Sequence, residues 1–213
     1  MAQVFLSEVE LYYSGNDKVD NKISIDGDEC HHLTNVMRHK IDDILYVTDG
    51  KGSIYRSIIS GVEKNKVTVN VTETLNYENR FSNIRFCIPR LKNPDRFEFA
   101  LEKSVELGIT NFIVFDSKRT VAKGAKLERW EKILLAAMKQ SLRSWLPQIQ
   151  YVGSVGEIMK LDGSKFLFDQ SANETIHTIS PLLSSQFSAV NCFFIFGPEG
   201  GFDIWPEAIW AKF

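Results

Sequence analysis

"FFIFGPEGGF", residues 193–202, is the stretch on which the fold turns. Phe193 to Phe196 is an apolar run with the length and composition of a buried strand. It breaks at once into Gly197-Pro198-Glu199-Gly200-Gly201, where missing side chains let backbone approach a ligand closely. Short strands that are apolar on both faces belong to mostly parallel sheets covered on two sides. In such open sheets, ligands sit just beyond the carboxyl ends of the strands. No Lys-Ser/Thr follows this turn, so it is not a P-loop, and the Rossmann glycine spacing is absent. The acidic Glu199 disfavours phosphate and suits a polar, uncharged or cationic ligand. A tight strand-to-helix turn with no ligand is equally compatible with the composition.

Working outward, the same rhythm extends upstream. "IRFCIP" (84–89), "NFIVFD" (111–116), "KFLFD" (165–169) and "CFFIFG" (192–197) read as strands. Between the first two, Asn93 is placed to cap a helix with Pro94 in its first position. Phe97, Leu101 and Val105 recur along one face of it, and Gly108 ends it. "KLERWEKILLAAMKQSLRSWL" (126–146) predicts a long helix with Leu127, Trp130, Leu134, Ala137, Met138 and Ser141 on one face, stopped by Pro147. Strands alternating with helices predict an α/β domain over residues 79–213.

Residues 1–78 read differently. "KISID" (22–26), "ILYVTDG" (44–50), "SIYRSIIS" (53–60) and "KVTVNVTETL" (66–75) are short, β-branched and partly alternating. They predict a small barrel or curled sheet. One helix interrupts it, "DECHHLTNVMRH" (28–39), with Asp28 as cap and Leu33, Val36 and Met37 on a shared face. The polar "NYENRFSN" (76–83) marks the boundary.

Bulk properties exclude several classes. No apolar run reaches the ~18 residues of a membrane helix, and the N-terminus carries no secretory pattern. Cys30, Cys87 and Cys192 are odd in number and widely spaced, which argues against disulfides or zinc and for a reducing cytoplasm. A net charge of -2 means that any nucleic acid must be met by a local basic patch. Candidate patches are Arg90, Lys92 and Arg96, with Arg85 upstream, and the compact end Arg38-His39-Lys40. Arg119 ends a predicted strand, where it can reach a substrate. Gln140 and Arg143 share one face near the end of the long helix. A solvated charged face is the plain alternative for each of these. His31 and His32 are adjacent and cannot chelate together as an i,i+4 pair, so no metal is expected.

Taken in order, "HHLTNVMRHKIDDILYVTDGKGSIYRSII", "NPDRFEFALEKSVELGIT", "SKRT", "ERWEKILLAAMKQSLRSWLPQI" and "IFGPEGGF" resemble the RsmE-type methyltransferases of small-subunit ribosomal RNA, in the SPOUT superfamily. The resemblance implies a PUA-like β-barrel that contributes to RNA binding (residues 1–78) and a SPOUT domain with a trefoil knot (79–213). It implies a homodimer that uses S-adenosylmethionine to methylate N3 of a uridine in the 16S RNA, free or in the 30S particle. By match, Gly197, Pro198, Glu199, Gly200 and Gly201 would bind the cofactor. Arg119 and Arg143 would act in catalysis. Arg38, Lys40, Arg90, Lys92, Arg96 and Gln140 would contact RNA.

The family pattern continues beyond the glycine turn with a helix, a strand and a loop that completes the adenosine pocket. The chain ends at Phe213 with "DIWPEAIWAKF", so these residues alone are expected to bind S-adenosylmethionine weakly. A non-catalytic RNA-binding module is the competing reading, and a Rossmann-type nucleotide enzyme lacks its fingerprint.

Overall fold

Alternation of β-branched residues builds the first sheet in the computed structural model, which describes residues 9–116, 124–169, 172–175, 190–197, 202 and 209–211. The chain divides into two compact units. One comprises Met1–Asn79 with Ala136–Leu146, and the other Arg80–Leu135 with Pro147–Phe213.

The first unit holds β1 (Leu11–Tyr13), β2 (Lys22–Asp26), β3 (Ile44–Thr48), β4 (Ser53–Glu63) and β5 (Lys66–Asn76), in the order β1-β3-β4-β5-β2. The β1–β3 pair is parallel and the rest are antiparallel. The long β4–β5 hairpin turns on Lys64-Asn65, and its register shifts at Arg56/Ser57 and Ile59/Gly61. Such bulges bend a sheet. The bend wraps the sheet over a core of Ile23, Ile25, Leu45, Val47, Ile59 and Val69, which Tyr12 and Leu33 join.

The helix expected at 28–39 forms differently. α1 spans only Gly27–His31, and a π-helical turn, His32–Val36, follows. Met37 donates its backbone N–H to the His32 carbonyl, five residues back, at 3.0 Å. This wider turn breaks the 3.6-residue face. Leu33 is fully buried, but Val36 and Met37 are 57% and 47% exposed rather than sharing its face. Asp26, not Asp28, occupies the N-cap position, and it makes no side-chain capping bond.

The second unit is an all-parallel sheet in the order β11-β9-β10-β6-β7-β8. Its strands are β6 (Ile84–Pro89), β7 (Asn111–Phe115), β8 (Gln148–Val152), β9 (Ser164–Phe168), β10 (Cys192–Phe196) and β11 (Ile209–Ala211). β10 fills both faces. Phe193 and Ile195 pack with Cys87, Ile113, Phe115 and Leu167, while Cys192 packs with Phe166 and Phe168. Strand β8, "QIQYV", escapes the sequence reading because an edge strand with polar Gln148 and Gln150 shows no apolar run. The five-residue α4 (Val155–Met159) is too short to show a period.

Helix α2 (Pro94–Glu106) begins as its sequence predicts. The Asn93 side chain accepts hydrogen bonds from the Asp95 and Arg96 amides at 2.9 and 3.2 Å. It closes on Gly108, left-handed at φ +98°, with Gly108 N–H on the Val105 carbonyl and Ile109 N–H on the Ser104 carbonyl. That pair of bonds is the Schellman closure.

Helix α3 (Leu127–Gln140) closes in the same way with the wrong residue for it. Leu142 N–H meets the Lys139 carbonyl, Arg143 N–H meets the Met138 carbonyl, and Leu142 is left-handed at φ +54°. A leucine there costs about 1–2 kcal/mol. The expected continuation to 146 is therefore cut short, and the reason lies in residues 144–146. Gly52 N–H donates to the Ser144 carbonyl and Leu146 N–H to the Gly50 carbonyl, both at 2.9 Å. Trp145 Nε1 donates to the Tyr77 carbonyl at 2.9 Å. An ion pair between Lys139 and Glu29 adds to these bonds. Together they offset the strain and draw the chain off the helix. On the predicted face, Trp130, Leu134, Ala137 and Met138 are buried, while Leu127 is exposed.

Candidate active site at the carboxyl end of the parallel sheet

β10 delivers the chain to Gly197, whose N–H donates to the Phe168 carbonyl at 3.1 Å. A Cβ at Gly197 would lie 3.1 Å from that carbonyl oxygen, 3.3 Å from the Phe202 ring and 3.5 Å from Asp169 Oδ2. Close approach by the end of β9 and by Phe202 thus accounts for this first glycine. Pro198, Glu199, Gly200 and Gly201 lie outside the described residues, as does Arg119.

Two strands across, Asp116 directly follows the last residue of β7. The register places Gly197 level with Pro89 and Phe115, about 10 Å away across β6 at ordinary strand spacing. Asp116 Oδ2 accepts a hydrogen bond from the Tyr151 hydroxyl at 2.6 Å and another from the Gly124 amide at 3.3 Å. Asp116 Oδ1 is buried with no hydrogen-bond partner among the described residues. The hydrogen bond to Asp116, with burial, pushes the Tyr151 hydroxyl above its ordinary value, so it stays a donor. Burial likewise pushes the Cys87 and Cys192 thiols up, so neither offers a thiolate near neutral pH.

Arg90 belongs to this cluster. Its backbone N–H meets the Phe115 carbonyl, its guanidinium donates to the Gly124 carbonyl, and it stands 5.7 Å from the Trp130 ring. It is half-buried, whereas Lys92 and Arg96 on the same approach are exposed. Arg85 donates to the Ser82 carbonyl at 2.7 Å. The sequence reading reached Asp116 as a strand end but weighed only Arg119 there, and it missed Tyr151 altogether. The available signal was Asp116 itself, an ionisable residue directly after an apolar strand of a parallel sheet.

The other candidates fall in the first unit. Gln140 and Arg143 are exposed at the closure of α3, and Arg38 and Lys40 are exposed after the π-helical turn. Beside them His32 and His39 are tied to carboxylates. His32 Nε2 lies 2.9 Å from Glu10 Oε1, and His39 Nδ1 lies 3.1 Å from Asp43 Oδ2. The buried Tyr12 donates to Glu10 Oε2 at 2.8 Å. Burial alone would push the Glu10 carboxyl up. Hydrogen bonds from Tyr12 and His32, with the attraction of His32 and His39, outweigh burial and hold it below its ordinary value. The Lys40 backbone amide, then His39, does the same for Asp43.

A depressed carboxylate contributes stability above its unfolded value and loses that contribution as pH falls through the folded one. The first unit should therefore weaken below about pH 4. In a Glu10→Gln/Asp43→Asn variant, thermal midpoints measured from pH 6 down to pH 2 should fall less steeply than in the parent. Equal slopes would remove these two groups from the acid response.

Among the described residues, no group of three or more His, Cys, Asp or Glu side chains is placed to hold a metal ion. Nor is any described helix long and apolar enough to cross a membrane.

A parallel sheet whose strand β10 runs to Gly197, with the acidic Asp116 just past β7, in a chain that also carries a small curled β-sheet, defines a two-unit α/β protein. An RNA methyltransferase domain model matches residues 78–204, and an RNA methyltransferase PUA domain model matches residues 25–72. The chain belongs to this RNA methyltransferase family. It is 33% identical over 190 residues to ribosomal RNA small subunit methyltransferase E of Bacillus subtilis, a match covering 84% of this chain and 74% of that one. The enzyme of the same name from Rickettsia conorii is 25% identical over 193 residues, covering 90% of this chain and 78% of the relative. In fold, the chain is similar to a ribosomal RNA small subunit methyltransferase E from Neisseria gonorrhoeae, solved bound to S-adenosyl methionine. That similarity has a TM-score of 0.81 at 22% identity and covers 97% of this chain and 89% of that one.

Proposed function

We propose that this protein transfers a methyl group from S-adenosylmethionine to N3 of a uridine in small-subunit ribosomal RNA. The observation that carries the reading is the continuous family match over 78–204, which runs through β6, β7, α3, β10 and the glycine turn. The residues present fit the cofactor. Gly197 sits where a side chain would crowd its neighbours, and Asp169 stands beside it. An acidic strand end with no lysine in the turn suits a cationic cofactor better than a phosphate. When bound, that cofactor supplies the electrophilic methyl.

Residues 197 to 201 would hold the cofactor. Uridine N3 must lose its proton to become nucleophilic, and negative charge then spreads to the two flanking oxygens of the base. Arg119 and Arg143 would face that charge. Arg38, Lys40, Arg90, Lys92, Arg96 and Gln140 would grip the RNA, the exposed ones most directly. The family resemblance adds a SPOUT-type knot and a homodimer, and the widely spaced cysteines favour a cytoplasmic setting. Sedimentation of the purified protein tests the dimer.

The deciding experiment supplies labelled cofactor and either bare small-subunit RNA or the assembled particle. Methylation at N3 blocks Watson–Crick pairing, so reverse transcription should stop at one uridine. Arg143→Ala should slow transfer by about tenfold to a hundredfold. RNA that is bound tightly but never labelled would favour the non-catalytic RNA-binding reading instead.

A further inference from the structure

The proposed reaction needs an acceptor for the N3 proton, and the structure offers one group without an assigned task. Among the described residues, Asp116 Oδ1 is the only buried side-chain oxygen or nitrogen that lacks a hydrogen-bond partner. Leaving such an atom unmatched is destabilising, and each instance in a native structure calls for an explanation, a catalytic role among them. Its position is also specific. Asp116 follows the last residue of β7, at the sheet end where ligands bind, about 10 Å across β6 from Gly197.

The carboxylate is held rather than loose. Tyr151 and the Gly124 amide both engage Oδ2, and Arg90 braces the Gly124 carbonyl. Oδ1 is therefore fixed in direction. An ionised carboxylate only accepts hydrogen bonds, so its visitor must bring an N–H or O–H. The pyrimidine ring of uridine carries one N–H, at N3, between two carbonyl acceptors.

We propose that Asp116 is the general base of the reaction, an inference that rests on the functional reading above. Asp116 Oδ1 takes the proton from N3. The electron pair left on N3 forms the new N–C bond to the methyl carbon as the S–C bond breaks. That bonding pair stays on sulfur, which becomes a neutral thioether. The proton then passes from Asp116 to water. Tyr151 is a positioning residue that keeps Oδ1 aimed at the base.

The test compares the parent protein with Asp116→Asn and Tyr151→Phe. Single-turnover methyl transfer, S-adenosylmethionine and RNA affinities, and the thermal midpoint of the ligand-free protein are measured for each. Asp116→Asn should lose about a hundredfold in rate. Both affinities should stay within about twofold, and the midpoint should be unchanged, because the amide oxygen of asparagine can still accept from Tyr151 and Gly124. Tyr151→Phe should lose about fivefold to tenfold in rate with both affinities retained, consistent with a group that orients the base. An Asp116→Asn protein with the parent rate overturns the proposal. So does loss of cofactor affinity, which would assign the missing donor to the cofactor, or a fall in midpoint that accounts for the lost rate. A full-length gene product that transfers no methyl to RNA would instead sink the functional reading itself.

Discussion

Gly163→Ala should destabilise the second unit by about 4 kcal/mol, combining backbone strain with an unavoidable clash. Gly163 sits at φ +132°, a conformation that side chains rarely adopt. A Cβ there would come within 2.2 Å of the Asn191 carbonyl oxygen and 3.0 Å of the Asn191 carbonyl carbon. These are backbone atoms, and they are engaged. The same carbonyl accepts the Ser164 N–H at 2.9 Å, and the next residue, Cys192, donates to the Asn83 carbonyl at 2.9 Å. Relieving the clash means unpairing the start of β10 from β9 and β6 together, and β10 carries the glycine turn. Urea unfolding measures the loss directly. A loss below 1 kcal/mol would show that the loop yields without disturbing the sheet.

Gly52→Ala should cost about 3 kcal/mol in the first unit and lower methyl transfer as well. At φ +108°, a Cβ would lie 2.6 Å and 2.8 Å from two atoms of the Trp145 indole and 2.9 Å from the Tyr77 carbonyl oxygen. The indole N–H donates to that same carbonyl, so the added methyl group lands on a hydrogen bond already in place. Trp145 would be expelled, and the Gly52–Ser144 backbone bond would go with it. Those contacts hold Leu142 in its strained conformation and so fix the direction of Arg143. Denaturation of the variant reports the stability term. The rate at a temperature where the variant remains folded reports the other. A destabilised protein with undiminished transfer would detach Arg143 from the reaction.

Much of the sheet framework was readable because its causes are local. Asn93 caps α2 through amides two and three residues away, and Gly108 closes the same helix within one turn. β10 announces itself because both its faces are buried, so every position is apolar. What escaped the reading is non-local. Nothing near Leu142 asks for a left-handed residue; the demand comes from Gly50, Gly52 and Tyr77, far away in sequence. The π-helical turn at 32–36 is similarly silent, since its residues satisfy an ordinary helical period on paper. Only packing shows that Leu33 is inside while Val36 and Met37 are not.

The candidate site divides along the same line. The strand ends themselves were legible from the run of apolar strands, and the Gly197–Gly201 segment was visible as a motif, though residues 198–201 lie outside the described residues. The pairing of Asp116 with Tyr151 was not, because Tyr151 lies on β8, an edge strand with weak sequence signal. Arg90 was legible as a basic residue near the site. Its engagement with Gly124 and Trp130 required the fold.

The membership of Ala136–Leu146 in the first unit has a practical corollary for taking this protein apart. A cut after Asn79 would not release a self-sufficient module. It would leave the Gly50 carbonyl and the Gly52 amide without their backbone partners, the Tyr77 carbonyl without its indole donor and Glu29 without its lysine. A recombinant version of that module would need the distant segment spliced back, joined to Asn79 by a linker in place of the intervening chain. By the same token, this sheet cannot be exchanged between relatives at a single crossover without breaking its own completion.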